Sequence, residues 1–212
     1  MLKTVRVVFS KTGRARFISH LDLVRTMTRV VRRAEIPLWY TEGFNRHPYL
    51  TFASPLSLGF EGLRESMDIR LEEEMPYDEL VARLNAALSE GFEVISAAEA
   101  LHKVGALTAA RYRLRFDCPP DKIEALLSQA EIIVEKRTKK KTVKSLDIRP
   151  AFADAQVNAH GEGAEVTVTL PVGNDTVNPN LLLQALNAAT GEEYHLRVLR
   201  LDLLTADGDP FC

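Results

Sequence analysis

The segment 19–34 most constrains the fold, because it combines a helix start signal with two chemically distinct faces. Ser19 stands at an N-cap position, and Asp22, three residues later, can complete a capping box. At 100° per residue the apolar side chains that follow lie within one arc, which predicts a buried face. These side chains are Leu23, Val24, Met27, Val30, Val31 and Ala34. The sequence therefore predicts a helix over about 19–34 that packs in the core.

The opposite arc of this helix carries four arginines at the spacing i, i+4, i+7 and i+8. Arginine presents a planar fork of donors that matches phosphate oxygens, so this arc is a candidate phosphate-binding surface. Charged side chains also form ordinary solvated outer faces, and the sequence leaves both interpretations open. The four residues are Arg25, Arg29, Arg32 and Arg33.

A turn-rich loop at 42–48 follows the helix. Gly43 and Asn45 tolerate positive φ, and Pro48 favours an extended conformation at His47. The loop region also carries the aromatic residues Phe44 and Tyr49 close to Arg46. Single-stranded nucleic acids bind to aromatic rings that lie beside cations. Alternatively, the rings pack beneath the loop and His47 only caps it. The residues around helix and loop that we predict to contact nucleic acid are Arg14, Arg16, Phe44, Arg46, His47 and Tyr49, with Trp39 as a further candidate for stacking.

The charge distribution is segregated along the chain, although the formal net charge is only −2. Residues 1–60 carry ten Lys or Arg against three Asp or Glu, whereas residues 61–103 carry four against eleven. A sequence pI of about 6.2 argues against a general polyanion-binding protein. The pattern favours one local basic surface.

A lysine-rich run at 136–144 is the second basic feature. Because it lies between two predicted strands, it would form a hairpin tip that reaches a phosphate backbone. The alternative is a solubilising turn. The predicted contacts are Lys139, Lys140 and Lys141.

Two histidines are candidates for acid–base chemistry. His20 and His47 would make a pair for metal-independent RNA cleavage if both reached one phosphate. His20 also suits a structural role, since it lies near the buried arc of the helix. The remaining histidines have no neighbours at ligand spacing, so we expect no metal site and no cofactor.

The order of predicted elements indicates an α+β protein made of two tandem ferredoxin-like (βαββαβ) units with antiparallel sheets. The first unit, 1–103, would use strands at 4–9, 37–40, 66–71 and 92–95 with helices at 19–34 and 76–89. The second, 104–212, would add hairpin strands around the lysine-rich run to helices at 121–129 and 179–189.

Two cysteines, Cys118 and Cys212, exclude a disulfide framework. They also exclude the three-cysteine motif that holds the iron–sulfur cluster of a radical S-adenosylmethionine (SAM) enzyme. The longest apolar runs fall short of a membrane span, and Met1 leads directly into a predicted strand. We therefore expect a cytoplasmic protein without membrane contact.

The run RFISHLDLVRTMTRVVRRAEIPLWYTEGFNRHPYLTFASPLSLG resembles the radical SAM-linked protein family. The resemblance is specific over about residues 3–72 and looser near residue 140. Members of that family are encoded beside, or fused behind, a radical SAM protein. The resemblance implies a bacterial cytoplasmic partner of such an enzyme with ties to RNA metabolism, and it carries over no catalytic residues.

These observations lead to one expected function and two alternatives. We expect an RNA-binding or substrate-presenting accessory module that acts with a radical SAM protein and has no chemistry of its own. The first alternative is an endoribonuclease that uses His20 and His47. The second is a protein-interaction adaptor whose basic face binds an acidic partner.

Overall fold

The structure is a computed structural model that describes residues 3–137 and 143–211. Within these residues the protein is a mixed α+β chain with four α-helices and a mostly antiparallel multi-stranded sheet. None of the described helices is long and apolar enough to cross a membrane. Lys139, Lys140 and Lys141, the predicted hairpin contacts, lie outside the described residues.

The N-terminal half follows the order βαββαβ. Its elements are β1 (Lys3–Lys11), α1 (His20–Arg33), β2 (Leu50–Phe52), β3 (Glu61–Leu71), α2 (Tyr77–Ala87) and β4 (Phe92–Glu99). The strands pair antiparallel in the order β4-β1-β3-β2. Apolar side chains of β1 and β3, among them Val7 and Ile69, pack with the inner faces of both helices in one core.

The C-terminal half is also built of helices and antiparallel strands, and the predicted tandem ferredoxin-like arrangement is not confirmed. Its elements are β5 (Leu107–Phe116), α3 (Pro120–Leu127), β6 (Ile133–Arg137), β7 (Val143–Asp147), β8 (Gln156–His160), β9 (Gly163–Pro171), α4 (Asn180–Thr190) and β10 (Leu196–Thr205). Strands β5, β9 and β8 pair antiparallel in that order. Strands β6 and β7 pair with each other in a separate two-stranded sheet.

The chain divides into two compact units. The first comprises Met1–Thr108 and Arg200–Cys212, and the second comprises Ala109–Leu199. The C-terminal residues from Arg200 thus belong with the first unit, because their contacts are made there. The predicted domains 1–103 and 104–212 stay a prediction.

The predicted strand at 37–40 is not a regular strand. Leu38 and Tyr40 form only isolated bridges, to Leu71 and Pro48. The regular second strand is β2, which pairs with β3 from Leu50↔Ile69 to Phe52↔Met67. The pattern at 37–40 resembles a strand because the buried Leu38 lies between the half-buried Pro37 and Trp39, but the segment forms no continuous ladder with another strand.

Helix α1 ends in a left-handed turn at a residue that is not glycine. The backbone N–H of Ile36 donates to Val31 O over 3.1 Å and that of Glu35 to Arg32 O over 3.1 Å, as in a Schellman motif. Glu35 occupies this turn with φ 53°. A side chain in the left-handed region is strained by contact of its Cβ with the backbone.

Replacing Glu35 with glycine should therefore raise the free energy of unfolding by about 0.5–1 kcal/mol, because glycine adopts positive φ without strain. The measurement is urea denaturation followed by circular dichroism. Gly191 offers a matched control, since it caps α4 with φ 73° and has open space around it. Gly191→Ala should lower stability by a similar amount, and equal midpoints for Glu35→Gly and wild type would contradict the prediction.

Candidate nucleic-acid interface

The start of α1 is fixed by the Ser19 N-cap that the sequence predicts, and Asp22 bonds to the Ser19 side chain. The backbone N–H of Asp22 donates to Ser19 Oγ over 3.2 Å, and Ser19 Oγ donates to Asp22 Oδ2 over 2.7 Å. Hydrogen bonds from Ser19 and then from Arg25 lower the pKa of Asp22. The buried residues of the helix are Leu23, Met27, Val30 and Val31. This packing turns the four arginines away from the core.

All four arginines of α1 are exposed, and they differ in their partners. Arg25 pairs with Asp22 over 3.0 Å, and Arg33 donates to the carbonyl oxygen of Ala87 at the end of α2. Among the described residues, neither Arg29 nor Arg32 has an ion pair or a side-chain hydrogen bond. These two guanidiniums are available to an anion from outside the protein.

The two arginines before α1 lie in a short 3₁₀ helix, Gly13–Phe17. Arg14 is exposed, whereas Arg16 is half-buried. The Arg16 guanidinium lies 4.7 Å from the ring of Phe17 and 4.0 Å from the carboxylate of Glu61. Arg16 is therefore partly neutralised, and Arg14 is the better placed of the two for phosphate.

The loop after α1 is a small hairpin, which we call the 39–49 hairpin. The backbone N–H of Tyr49 donates to Trp39 O over 3.0 Å and that of Thr41 to His47 O over 2.9 Å. Phe44, Arg46 and His47 are exposed on it. The loop thus presents three of the predicted contacts, while Tyr49 is half-buried at its base.

Arg70 of β3, which sequence reasoning missed, lies against the base of this hairpin. Its guanidinium carbon is 4.3 Å from the centroid of the Tyr49 ring and 5.5 Å from that of Trp39. The two rings are themselves 6.1 Å apart. The rings predicted to stack on a base thus already hold a cation of the protein.

The two candidate catalytic histidines occupy different environments. The ring of His20 lies 5.4 Å from that of Phe52, and its Nδ1 is buried without a hydrogen-bond partner. Burial, followed by the charge of Lys11, lowers the pKa of His20. His47 Nδ1 lies 3.1 Å from Thr41 Oγ1 and 3.0 Å from Asn45 O. Within the described residues no hydrogen bond or ring contact joins the two imidazoles.

A buried charged cluster next to His20 was not predicted. Arg200 donates to both carboxylate oxygens of Glu65, through Nε over 2.9 Å and through Nη2, and also to Ser54 O over 3.0 Å. Lys11, 1% exposed, donates to Arg16 O over 3.3 Å. Burial lowers the pKa of Lys11, and the nearby Glu65 carboxylate opposes this shift.

One sequence signal could have indicated this cluster. Gly62 pairs with Lys11 across the sheet, and a Cβ at Gly62 would lie 2.2 Å from Glu65 Oε1. A glycine inside a strand often marks a close approach, here the space for the carboxylate. The arginine that completes the cluster lies 135 residues away in sequence, so local patterns do not reveal it.

His195 has an acidic neighbour that lies 78 residues away in the sequence. Its Nδ1 lies 3.0 Å from Asp117 Oδ2, and its backbone N–H donates to Asp117 Oδ1 over 2.6 Å. These hydrogen bonds lower the pKa of Asp117. Both side chains are largely exposed. In the part of the chain that the structure describes, no group of three or more His, Cys, Asp or Glu is arranged to hold a metal.

Comparison with known proteins identifies the family but not an activity. A family model described as "Uncharacterized protein conserved in bacteria (DUF2344)" matches residues 4–190. No curated protein matches the chain. Because the matched range covers well over half of the sequence, the chain belongs to this family of proteins conserved in bacteria.

Proposed function

We propose that this protein binds RNA through the arginine face of α1 and presents it to a radical SAM partner, without chemistry of its own. The observation that carries the proposal is the pair Arg29 and Arg32. Both are exposed, and neither has an anionic partner among the described residues. Neighbouring guanidiniums repel one another, and a phosphate backbone would relieve that repulsion.

The geometry of α1 favours a chain of phosphates over a single anion. Arg25 to Arg33 extend over about 12 Å of the helix axis at 1.5 Å per residue. Because the opposite face is buried in the core, the arginine backbones are held in fixed relative positions. The fixed backbone limits the entropy cost of binding to the ordering of the exposed arginine side chains.

The resemblance over about residues 3–72 supports the radical SAM partner. The chain has two cysteines, so the partner would have to supply the cysteines that hold a radical SAM iron–sulfur cluster. The proposal assigns presentation of the substrate to this chain and its modification to the partner. It also places the protein in the cytoplasm. The βαββαβ order and the sheet order of the first unit support a ferredoxin-like fold there, while a tandem arrangement stays a prediction.

The test is the salt dependence of RNA binding by wild type and by an Arg29→Ala/Arg32→Ala variant. For single strands, each lost phosphate contact should reduce the slope of log K against log salt by about 0.7. In the double variant the slope should therefore be shallower than in wild type by about 1.4, and the RNA should bind less tightly at low salt. Fluorescence anisotropy with a labelled RNA of mixed sequence measures both quantities.

A matched control removes two exposed cations from the second unit. Lys122→Ala/Arg197→Ala changes the net charge by the same amount as the test variant. Because it leaves the arginines of α1 in place, it should keep the wild-type slope. Equal slopes for all three proteins would contradict the proposal. Binding of the radical SAM neighbour that persists after nuclease treatment, with no RNA binding at low salt, would favour the adaptor. Cleavage products that disappear in His47→Ala would favour the endoribonuclease.

A further inference from the structure

The 39–49 hairpin has a stiff base and an exposed tip. Its arms are joined by the Tyr49–Trp39 and Thr41–His47 backbone hydrogen bonds and by an antiparallel bridge between Tyr40 and Pro48. The imidazole of His47 crosses between the arms, within 3.1 Å of Thr41 Oγ1. These contacts fix the position from which residues 42–46 project.

Phe44 lies in this tip with its side chain fully exposed. Its ring makes no aromatic or cation–π contact with any described residue. Gly43, with φ 117°, allows the sharp turn that places the ring outward. A phenylalanine in water is unfavourable, and a fixed hairpin gives a ligand two open aromatic faces at little cost in entropy.

The chemistry of the tip favours a nucleobase over an apolar protein partner. The other large side chains there, Glu42 and Arg46, are charged and exposed, so Phe44 is a lone ring and not part of an apolar patch. Arg46 lies two residues from the ring and can reach a phosphate beside a stacked base. The rings at the base, Trp39 and Tyr49, contact Arg70 instead.

We propose that Phe44 stacks on an unpaired base, so that the ligand of this protein is single-stranded RNA. The inference rests on the proposed function and specifies its ligand class. Bases in a duplex are stacked on one another and offer no free face, whereas a single strand can place a base on an exposed ring. Arg46 then holds the adjoining phosphate.

The experiment compares a labelled single-stranded RNA with a duplex of the same length. Phe44→Ala should weaken binding of the single strand about 5- to 150-fold, the range expected for loss of one base–aromatic stack, and leave duplex binding unchanged. Phe17→Ala is the matched control. It removes another exposed aromatic ring, which lies against Arg16, and should change the affinity less than about twofold.

A second variant reports on stacking directly. Trp39 is the single tryptophan of the chain, so Trp39→Phe/Phe44→Trp moves the fluorophore to the tip. Its emission should be quenched by the single strand and not by the duplex, and the indole should keep the wild-type affinity. Trp39→Phe alone controls for the change at the base.

The outcomes separate this inference from the proposed function. Binding that depends on Arg29 and Arg32 but is unchanged in Phe44→Ala, with no quenching at the tip, overturns base stacking alone. Binding that depends on Phe44 but not on those arginines supports stacking and overturns the role of α1. No binding of either RNA by wild type at low salt overturns both.

Discussion

Replacing Arg200 with methionine should lower the free energy of unfolding by about 3–5 kcal/mol, the cost of removing one partner from a buried ion pair. The Arg200 and Glu65 side chains are 3% and 4% exposed, respectively. Without the guanidinium, a carboxylate would remain in the protein interior with less compensation for its lost hydration. Methionine fills similar space, so the loss reports the missing charge and not a cavity.

Denaturation of the first unit can be followed separately, because Trp39 lies in that unit and is the single tryptophan of the chain. Urea titrations of tryptophan emission should show a lower midpoint for Arg200→Met with an unchanged slope. Lys11 is another cation that acts on Glu65, and it also remains in the variant. This residual attraction favours a loss near the lower end of the range.

Two further variants make the result specific. Arg64→Met removes the neighbouring arginine, which pairs with Asp202 over 3.5 Å and is 43% exposed, and should change stability by less than about 1 kcal/mol. Glu65→Leu/Arg200→Met removes both charges of the pair and should recover part of the loss, because the buried Lys11 then lacks the Glu65 carboxylate. If Arg200→Met and Arg64→Met unfold at the same urea concentration, the buried pair has no special role.

The elements that depend on local signals were predictable from sequence. Helix α1 was predicted within a residue at each end, because Ser19 and Asp22 mark its start and the apolar arc defines its length. Strand β1 follows from its alternating β-branched residues. In both cases the information lies within a few residues of the element itself.

Features that depend on distant contacts were not predictable. The strand-like segment at 37–40 forms only isolated bridges, and Leu38 pairs with Leu71, just beyond the β3 residues that pair with β2. The hairpin contact of Arg70 needs the register of β3, which brings residue 70 beside Trp39. The tandem ferredoxin-like arrangement stays a prediction, because the order of elements alone does not fix which strands pair.

In the candidate site, too, the features that depend on local sequence were predictable and those that depend on distant contacts were not. The exposure of the α1 arginines follows from helix periodicity, so it was predictable. Their partners were not, because Arg33 is bound by a carbonyl group 54 residues away whereas Arg29 and Arg32 have no such partner among the described residues. This difference identifies the arginines to substitute, and periodicity alone treats all four alike.

Replacing Phe211 with alanine should lower the free energy of unfolding of the first unit by about 3–5 kcal/mol. The ring is 4% exposed, and its centroid lies 3.9 Å from the guanidinium carbon of Arg6. Arg6 donates to Asp68 through Nε over 2.8 Å and through Nη2 over 2.9 Å, and its Nη2 also donates to His102 O over 2.8 Å. Removing the ring would leave a cavity beside this buried ion pair and abolish a desolvated cation–π contact.

The same deletion at a solvated phenylalanine provides the control. Phe44→Ala should change stability by less than about 0.5 kcal/mol, because that side chain is fully exposed. Phe211→Leu keeps an apolar side chain but loses the ring, so its free energy of unfolding should lie between those of wild type and Phe211→Ala. The free energies of unfolding of wild type and Phe211→Leu differ partly through the cation–π contact with Arg6. When Arg6→Met is also present in both proteins, this difference should shrink by about 1–2 kcal/mol, the cation–π contribution. If that difference is unchanged, the ring stabilises the unit by packing alone.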